Sequence, residues 1–200
     1  MSLRLFKRRL RRDQQGATIV EFGFIAPIFL MMLMAIFELG HTMLLQATLH
    51  GALQQAGRNT SLESGLARFA AIDDDVEAMI KTSTPDAEVS FDRKNYYTFS
   101  DVGQPEDFVD SNGNGVYDAD ECFTDMNNNQ QWDSDVGRDG IGGADDVVSY
   151  TVTVEYQRMF PVWGFLGWNQ TGSLSSTTLL RNQPYGSQVD RVGRQICRAS

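Results

Sequence analysis

The chain has 200 residues, 42% of them hydrophobic, and carries 17 Lys and Arg against 26 Asp and Glu for a net charge of -9. That length makes one small domain or two very small ones, with apolar residues enough for a core. The acidic balance excludes a nucleic-acid binder, whose affinity rests on neutralising phosphates with Lys and Arg.

The charge is segregated along the chain. Residues 1–16 hold Arg4, Lys7, Arg8, Arg9, Arg11 and Arg12 against Asp13 alone. The rest of the chain retains 11 bases and 25 acids, a net -14, which favours divalent cations as partners. Directly after this basic leader, residues 17–37 read ATIVEFGFIAPIFLMMLMAIF, interrupted by one charge, Glu21. Such a run matches the roughly 20 residues a helix needs to cross the hydrocarbon of a bilayer. A cleaved secretory signal has a shorter apolar core and ends at a small-x-small site, which is missing after this run. Six bases before the span and only Arg58 in residues 38–58 predict a cytoplasmic N-terminus and an exported remainder.

A carboxylate inside a spanning helix costs on the order of 2.5 to 3.5 kcal/mol at the centre and less near the interface. Glu21 either reaches the cytoplasmic headgroups or meets a partner. Gly16 stands between the polar RRDQQ and the apolar run, so a cut after it would make Ala17 the new amino terminus and Glu21 the fifth residue. The carboxylate and an α-ammonium on a neighbouring helix would then neutralise each other. A basic leader ending in Gly before such a helix resembles the class III signal of type IV pilins and pseudopilins. More specifically, residues 16–58 resemble the TadE-like segment of tight-adherence (Tad) pilus systems, through Gly16, Ala17, Glu21, Phe22, Pro27, Glu38, Gly40, Ala56, Gly57 and Arg58. The stretch 181–185, RNQPY, is similar to the end of such proteins. The resemblance implies processing by a prepilin peptidase, helix packing with other pilins or pseudopilins, and contact with the Tad inner-membrane assembly complex. It implies a minor pilin or pseudopilin in the bacterial inner membrane, single-pass with a periplasmic head, or carried into a surface pilus.

Beyond residue 37 the stripe Leu45, Leu49, Ala52, Leu53 and Ala56 predicts that the helix continues to about Arg58. Pro27 is tolerated where neighbouring groups re-satisfy the freed carbonyl. A second amphipathic helix is expected within residues 59–83, through Leu62, Phe69, Ile72, Val76 and Ile80, stopped by Thr84 and Pro85. Residues 88–91 alternate as a half-buried strand.

Residues 101–146 form an acidic insert with thirteen acids against Arg138 alone. Within it, DSNGNGVYDADE at 110–121 fits D-x-[DN]-x-[DN]-G-x5-E. Asp110, Asn112 and Asn114 supply oxygens at loop positions 1, 3 and 5, Gly115 the turn, Val116 a carbonyl, Asp118 position 9 and Glu121 two oxygens at position 12. Hard oxygen ligands at this spacing suit Ca2+ better than Mg2+. Fifteen residues on, Asp125, Asn127, Asn129, Trp132, Asp133 and Asp135 repeat the pattern, with Gln130 in place of the glycine and Val136 in place of the glutamate. That second loop needs Asp135 or another group to complete it. A poorer third copy is readable from Asp135 to Asp146. The competing reading is a disordered acidic loop.

Residues 150–156 place Tyr150, Val152, Val154 and Tyr156 on one strand face, and residues 172–180 fit a strand loosely. Between them MFPVWGFLGW, residues 159–168, is either a core-filling loop or an exposed patch for a partner or the membrane surface. Core is the expectation. Cys122 and Cys197 lie in no metal spacing, and in an exported domain they either pair or remain two thiols.

The expected fold is α+β: a basic leader at 1–16, a pilin-like transmembrane helix at 17–58, and a small extracytoplasmic head at 59–200 with the calcium-loop insert at 101–146. The chain has no HExxH, no GxSxG and no phosphate loop, so a structural role is expected and not an enzyme. The alternative is an uncleaved membrane-anchored module for calcium-dependent binding or adhesion.

Overall fold

The computed structural model describes residues 15–60, 66–165, 167–183 and 186–197, so the basic leader up to Gln14, and Leu62, lie outside the described residues. Helix α1 runs over Gln15–Thr60, 46 residues with Pro27 inside it. At 1.5 Å per residue that is roughly 69 Å, far more than a bilayer's hydrocarbon core. Helix α2 covers Leu66–Ser83. Strand β1 is Glu88–Tyr96, β2 Phe123–Asp125, β3 Arg138–Asp139 and β4 Val147–Gln157. A short helix α3, Val162–Phe165, precedes β5, Thr171–Arg181, and β6, Arg194–Ile196.

Two sheets form, one ordered β3-β1-β4-β5 and one pairing β2 with β6. Strand β1 runs antiparallel to β4, with Phe91 opposite Val152 and Arg93 opposite Tyr150. Threonine and serine hydroxyls continue the ladder to β5, with Thr151 against Thr177 and Thr153 against Ser175. The alternation of β4 follows the sequence pattern, since Tyr150, Val152, Val154 and Tyr156 are all buried. Residues 88–91 turn out to be only the first half of a strand that continues through the polar stretch to Tyr96.

The described chain divides into two compact units. The anchor unit comprises the described residues up to Leu44 together with Gln157–Gly172, and the head unit comprises Leu45–Tyr156 with the described residues from Ser173 onward. The head therefore takes the last four turns of α1 into its own core, where a boundary near residue 59 was expected. Leu45, Leu49, Ala52, Leu53 and Ala56 of α1 join Phe69, Ile72, Val76 and Ile80 of α2 on one face of the β4 strand. Arg93 binds Asp73 of α2 and lies over the rings of Phe69, Phe91 and Tyr150, while the Tyr150 hydroxyl donates to Asp73 at 2.6 Å. Burial first, then this bond to Asp73, pushes the Tyr150 phenol far above its ordinary range.

In the anchor unit the apolar face of α1 is bare: Ile19, Phe22, Ile28, Met32 and Phe37 are all exposed. The described segment from Thr18 is long and apolar enough to cross a membrane. The 159–168 stretch corrects the core expectation. Val162 is buried, but Met159 is 61%, Phe165 72% and Trp168 61% exposed.

Candidate metal centre

The insert folds as two loops of the same shape. In the first, Asp110 accepts backbone N–H groups from Gly113, Asn114 and Gly115, Asn112 accepts from Asn114 N, and Asn114 accepts from Val116 N. In the second, Asp125 accepts from Asn128 and Gln130, Asn127 from Asn129 N, and Asn129 from Gln131 N. Short carboxylate and amide side chains at alternate positions fold the backbone over themselves, as Asp and Asn do in turns. The sequence difference at position 6 leaves the path unchanged. Gly115 has φ 75° and Gln130 has φ 65°, so the glutamine adopts the left-handed conformation its glycine counterpart takes without strain.

Position 12 is filled in both loops, by different routes. Glu121 closes the first loop, its Oε1 accepting from Ser111 N at 2.7 Å and its Oε2 from Asp118 N at 3.1 Å. The second loop receives Glu106, which precedes it by 19 residues and was not singled out from the sequence. Its Oε1 accepts from Met126 N at 2.7 Å and its Oε2 from Asp133 N at 3.3 Å, the counterparts of the two Glu121 bonds. Glu106 and Glu121 are 1% and 3% exposed. Fifteen residues separate them, so each is the glutamate of one repeat closing the loop of the other.

The exchange is symmetric in the backbone as well. Thr124 N donates to Asp107 O and Val109 N to Cys122 O, and Glu106 N donates to Asp133 O as Glu121 N does to Asp118 O. Phe108 and Phe123 pair across this local dyad as an isolated antiparallel bridge. Tyr117 and Trp132, both at position 8, stack with centroids 4.8 Å apart, and Phe108 meets both rings edge-on. The signal for Glu106 was present as Glu-x-Phe-x-Asp at 106–110 and again at 121–125. The loop pattern places position 12 downstream of position 1, whereas Glu106 lies upstream of Asp125.

Electrostatics separate the carboxylates. The N–H of Gly115, with those of its neighbours, holds the Asp110 carboxyl below the usual carboxylate range. Burial raises Glu106 above that range despite the N–H groups of Met126 and Asp133. Asp135 does not complete the second loop: it faces Lys94 Nζ at 2.9 Å and the Tyr96 hydroxyl at 3.1 Å. Burial pushes Asp135 upward, but Lys94, Gly137 N–H and Tyr96 outweigh it and hold it low. The third copy is likewise spent on structure, with Asp146 paired to Arg191 at 2.8 Å and bonded to Gln188 at 3.0 Å.

Among the described residues no three His, Cys, Asp or Glu side chains converge as a metal group. One Asp118 oxygen accepts the amides of Asn112 and Asn114 at 2.6 and 2.8 Å, and one Asp133 oxygen accepts those of Asn127 and Asn129 at 2.7 and 2.6 Å. A cation in either loop requires those amides to turn and present oxygen. With that rotation the chemistry is that of a hard-cation loop: carboxylate, two amide oxygens, a backbone carbonyl and a two-oxygen glutamate. Cys122, next to Glu121, is joined by a disulfide to Cys197, across 75 residues.

At the other end of the chain, Gly16 and Ala17 lie in the first turn of α1, and Glu21 is on its exposed surface. No curated protein and no solved structure matches this chain. The family model described as TadE-like protein matches residues 16–58, the same helix on which the sequence resemblance rests.

Proposed function

We propose that this protein is a TadE-like minor pilin or pseudopilin of Tad pilus assembly, held in the bacterial inner membrane with its head in the periplasm and stiffened there by calcium. The observation that carries the reading is α1: one continuous helix, bare and apolar over its first half and built into a folded head over its second. A helix of that kind packs laterally with other pilin helices while presenting its head outside the lipid. The match of residues 16–58 supports the same role. Prepilin peptidase would cut after Gly16 and leave Glu21 as the fifth residue, available to an α-ammonium on a neighbouring helix.

The calcium part rests on the doubled loop. Asp110, Asn112, Asn114, the Val116 carbonyl, Asp118 and Glu121 are the donors of one site. Asp125, Asn127, Asn129, the Gln131 carbonyl, Asp133 and Glu106 are those of the other. An exported protein needs only the weak affinity typical of extracellular modules, roughly 10⁻⁴ to 10⁻³ M.

The intact mass of the membrane-extracted protein, expressed with and without its cognate prepilin peptidase, tests the assembly role. Loss of residues 1–16 only with the peptidase, and not in a Gly16→Leu variant, is the expected result. A full-length mass throughout would favour the uncleaved, calcium-dependent binding or adhesion module. For the cation, the detergent-solubilised full chain should melt at higher temperature with calcium than with chelator; superimposable melts would remove calcium from the account.

A further inference from the structure

We infer that the segment between β4 and β5 is an interfacial anchor, which lays its aromatic side chains into the headgroup layer of the outer face of the membrane that α1 crosses. The inference rests on α1 spanning the bilayer and adds a second point of attachment.

The apolar stretch 17–37 occupies about 32 Å of helix at 1.5 Å per residue, which fills the hydrocarbon core. The residue after it, Glu38, is therefore at the boundary. Glu38 is 2% exposed, and its Oε2 accepts from the backbone N–H groups of Met159 at 3.1 Å and Phe160 at 3.3 Å. Phe160 in turn packs on Phe37, with ring centroids 6.4 Å apart. These contacts tie the segment to α1 at the level where the helix leaves the apolar layer. Leu39, Met43 and Leu44 remain exposed above that level, so α1 presents apolar surface for roughly a further 9 Å, the depth of a headgroup region.

The segment has the chemistry of that layer. Trp163 and Trp168 stack at 5.1 Å, and the Arg158 guanidinium lies over the Trp163 ring at 4.8 Å. Indoles with a polar N–H, a cation beside them and bulky apolar neighbours are the side chains that concentrate at membrane–water interfaces. Short helix α3 and the backbone bonds Trp168 N to Trp163 O and Arg158 N to Gln170 O hold the segment in shape, so Phe165 and Trp168 are exposed by a built structure. The occupant that fits is lipid: the patch is continuous along one unit with the bare helix that requires lipid.

The chain has three tryptophans, so Trp132→Phe leaves only the two in this segment. The full-length variant is reconstituted in phosphatidylcholine vesicles carrying bromine at a shallow or a deep acyl position, and acrylamide probes access from water. Shallow bromine should quench the emission more than deep bromine, with little quenching by acrylamide. Quenching by acrylamide without bromine quenching overturns the inference, because the segment then faces water. Resistance to both overturns it in favour of a protein-covered patch. A reporter with all three tryptophans changed to Phe and Phe29→Trp tests the span by itself: deep-bromine quenching there keeps the spanning reading when the anchor fails, and its absence overturns both.

Discussion

A carboxylate at 1% exposure held by two backbone N–H groups is fixed in place, yet it stays costly while ionised, and burial accordingly raises the Glu106 pKa. A cation coordinated by that carboxylate removes the cost. Glu106→Gln keeps the shape and much of the hydrogen bonding while removing the charge. On the proposed calcium reading, it should cut the calcium stoichiometry of the full chain from two to one by isothermal titration, leaving the Glu121 loop loaded. Retention of two ions would show that the second loop is closed by another group. Legibility at this scale was uneven. The side chains that fold each loop by accepting local backbone N–H groups were readable from spacing because a twelve-residue loop is local. Glu106 was not, because its role depends on a dyad relating two repeats, and a one-way pattern does not encode reciprocity. Asp135 was misplaced for the complementary reason: Lys94 and Tyr96, about forty residues earlier, compete for it through the sheet.

Among the elements, α1 and β4 were the most legible. A stripe of Leu and Ala at three- and four-residue spacing and a strict Tyr-Val-Val-Tyr alternation each specify one buried face. Their packing sets an expectation for stability. Leu49 is 1% exposed inside the cluster shared by α1, α2 and β4, so Leu49→Ala should lower the unfolding free energy of the head by about 2–5 kcal/mol. Urea melts in a Trp163→Phe, Trp168→Phe background, where Trp132 is the remaining tryptophan, measure this by fluorescence, and a change under about 1 kcal/mol would mean that α1 contributes little to the head. Strand β5 was legible only loosely because its Ser and Thr side chains face exposed partners across the ladder. The 159–168 segment differs from the core expectation because size and hydrophobicity look alike in a core and in an exposed patch. The burial of Glu38 beneath it had no local signal, since its partners lie about 120 residues away.

For the whole head, the raised Glu106 and the lowered Asp146 predict an acid-side optimum in metal-free stability. Burial pushes Asp146 up, but the Gly143 N–H, Gln188 and Arg191 outweigh it, so its folded value lies below the unfolded one. Its contribution is present above the unfolded value and is lost as pH falls through the folded value. Glu106 has the opposite sign: its folded value lies above the unfolded one, so its contribution is present below the unfolded value and is lost as pH rises through the folded value. Chelated protein should therefore be most stable between those two limbs, near the ordinary carboxylate range of about 4. Glu106→Gln should flatten the limb toward neutral pH and Asp146→Asn the acid limb, both read as melting temperature against pH. Slopes unchanged in both variants would assign the pH dependence to other groups. The disulfide has a separate consequence, in time. Loop closure in mid-chain uses β2, and β2 is paired with β6 and tied next door through Cys122 to Cys197. On the proposed periplasmic placement, a head that emerges across a membrane starting from α1 receives both loops long before it receives their fastener. The loop pair is then the last part of the head to be secured during export, after the helices and the four-stranded sheet have had their chance to assemble, and only where thiols are oxidised.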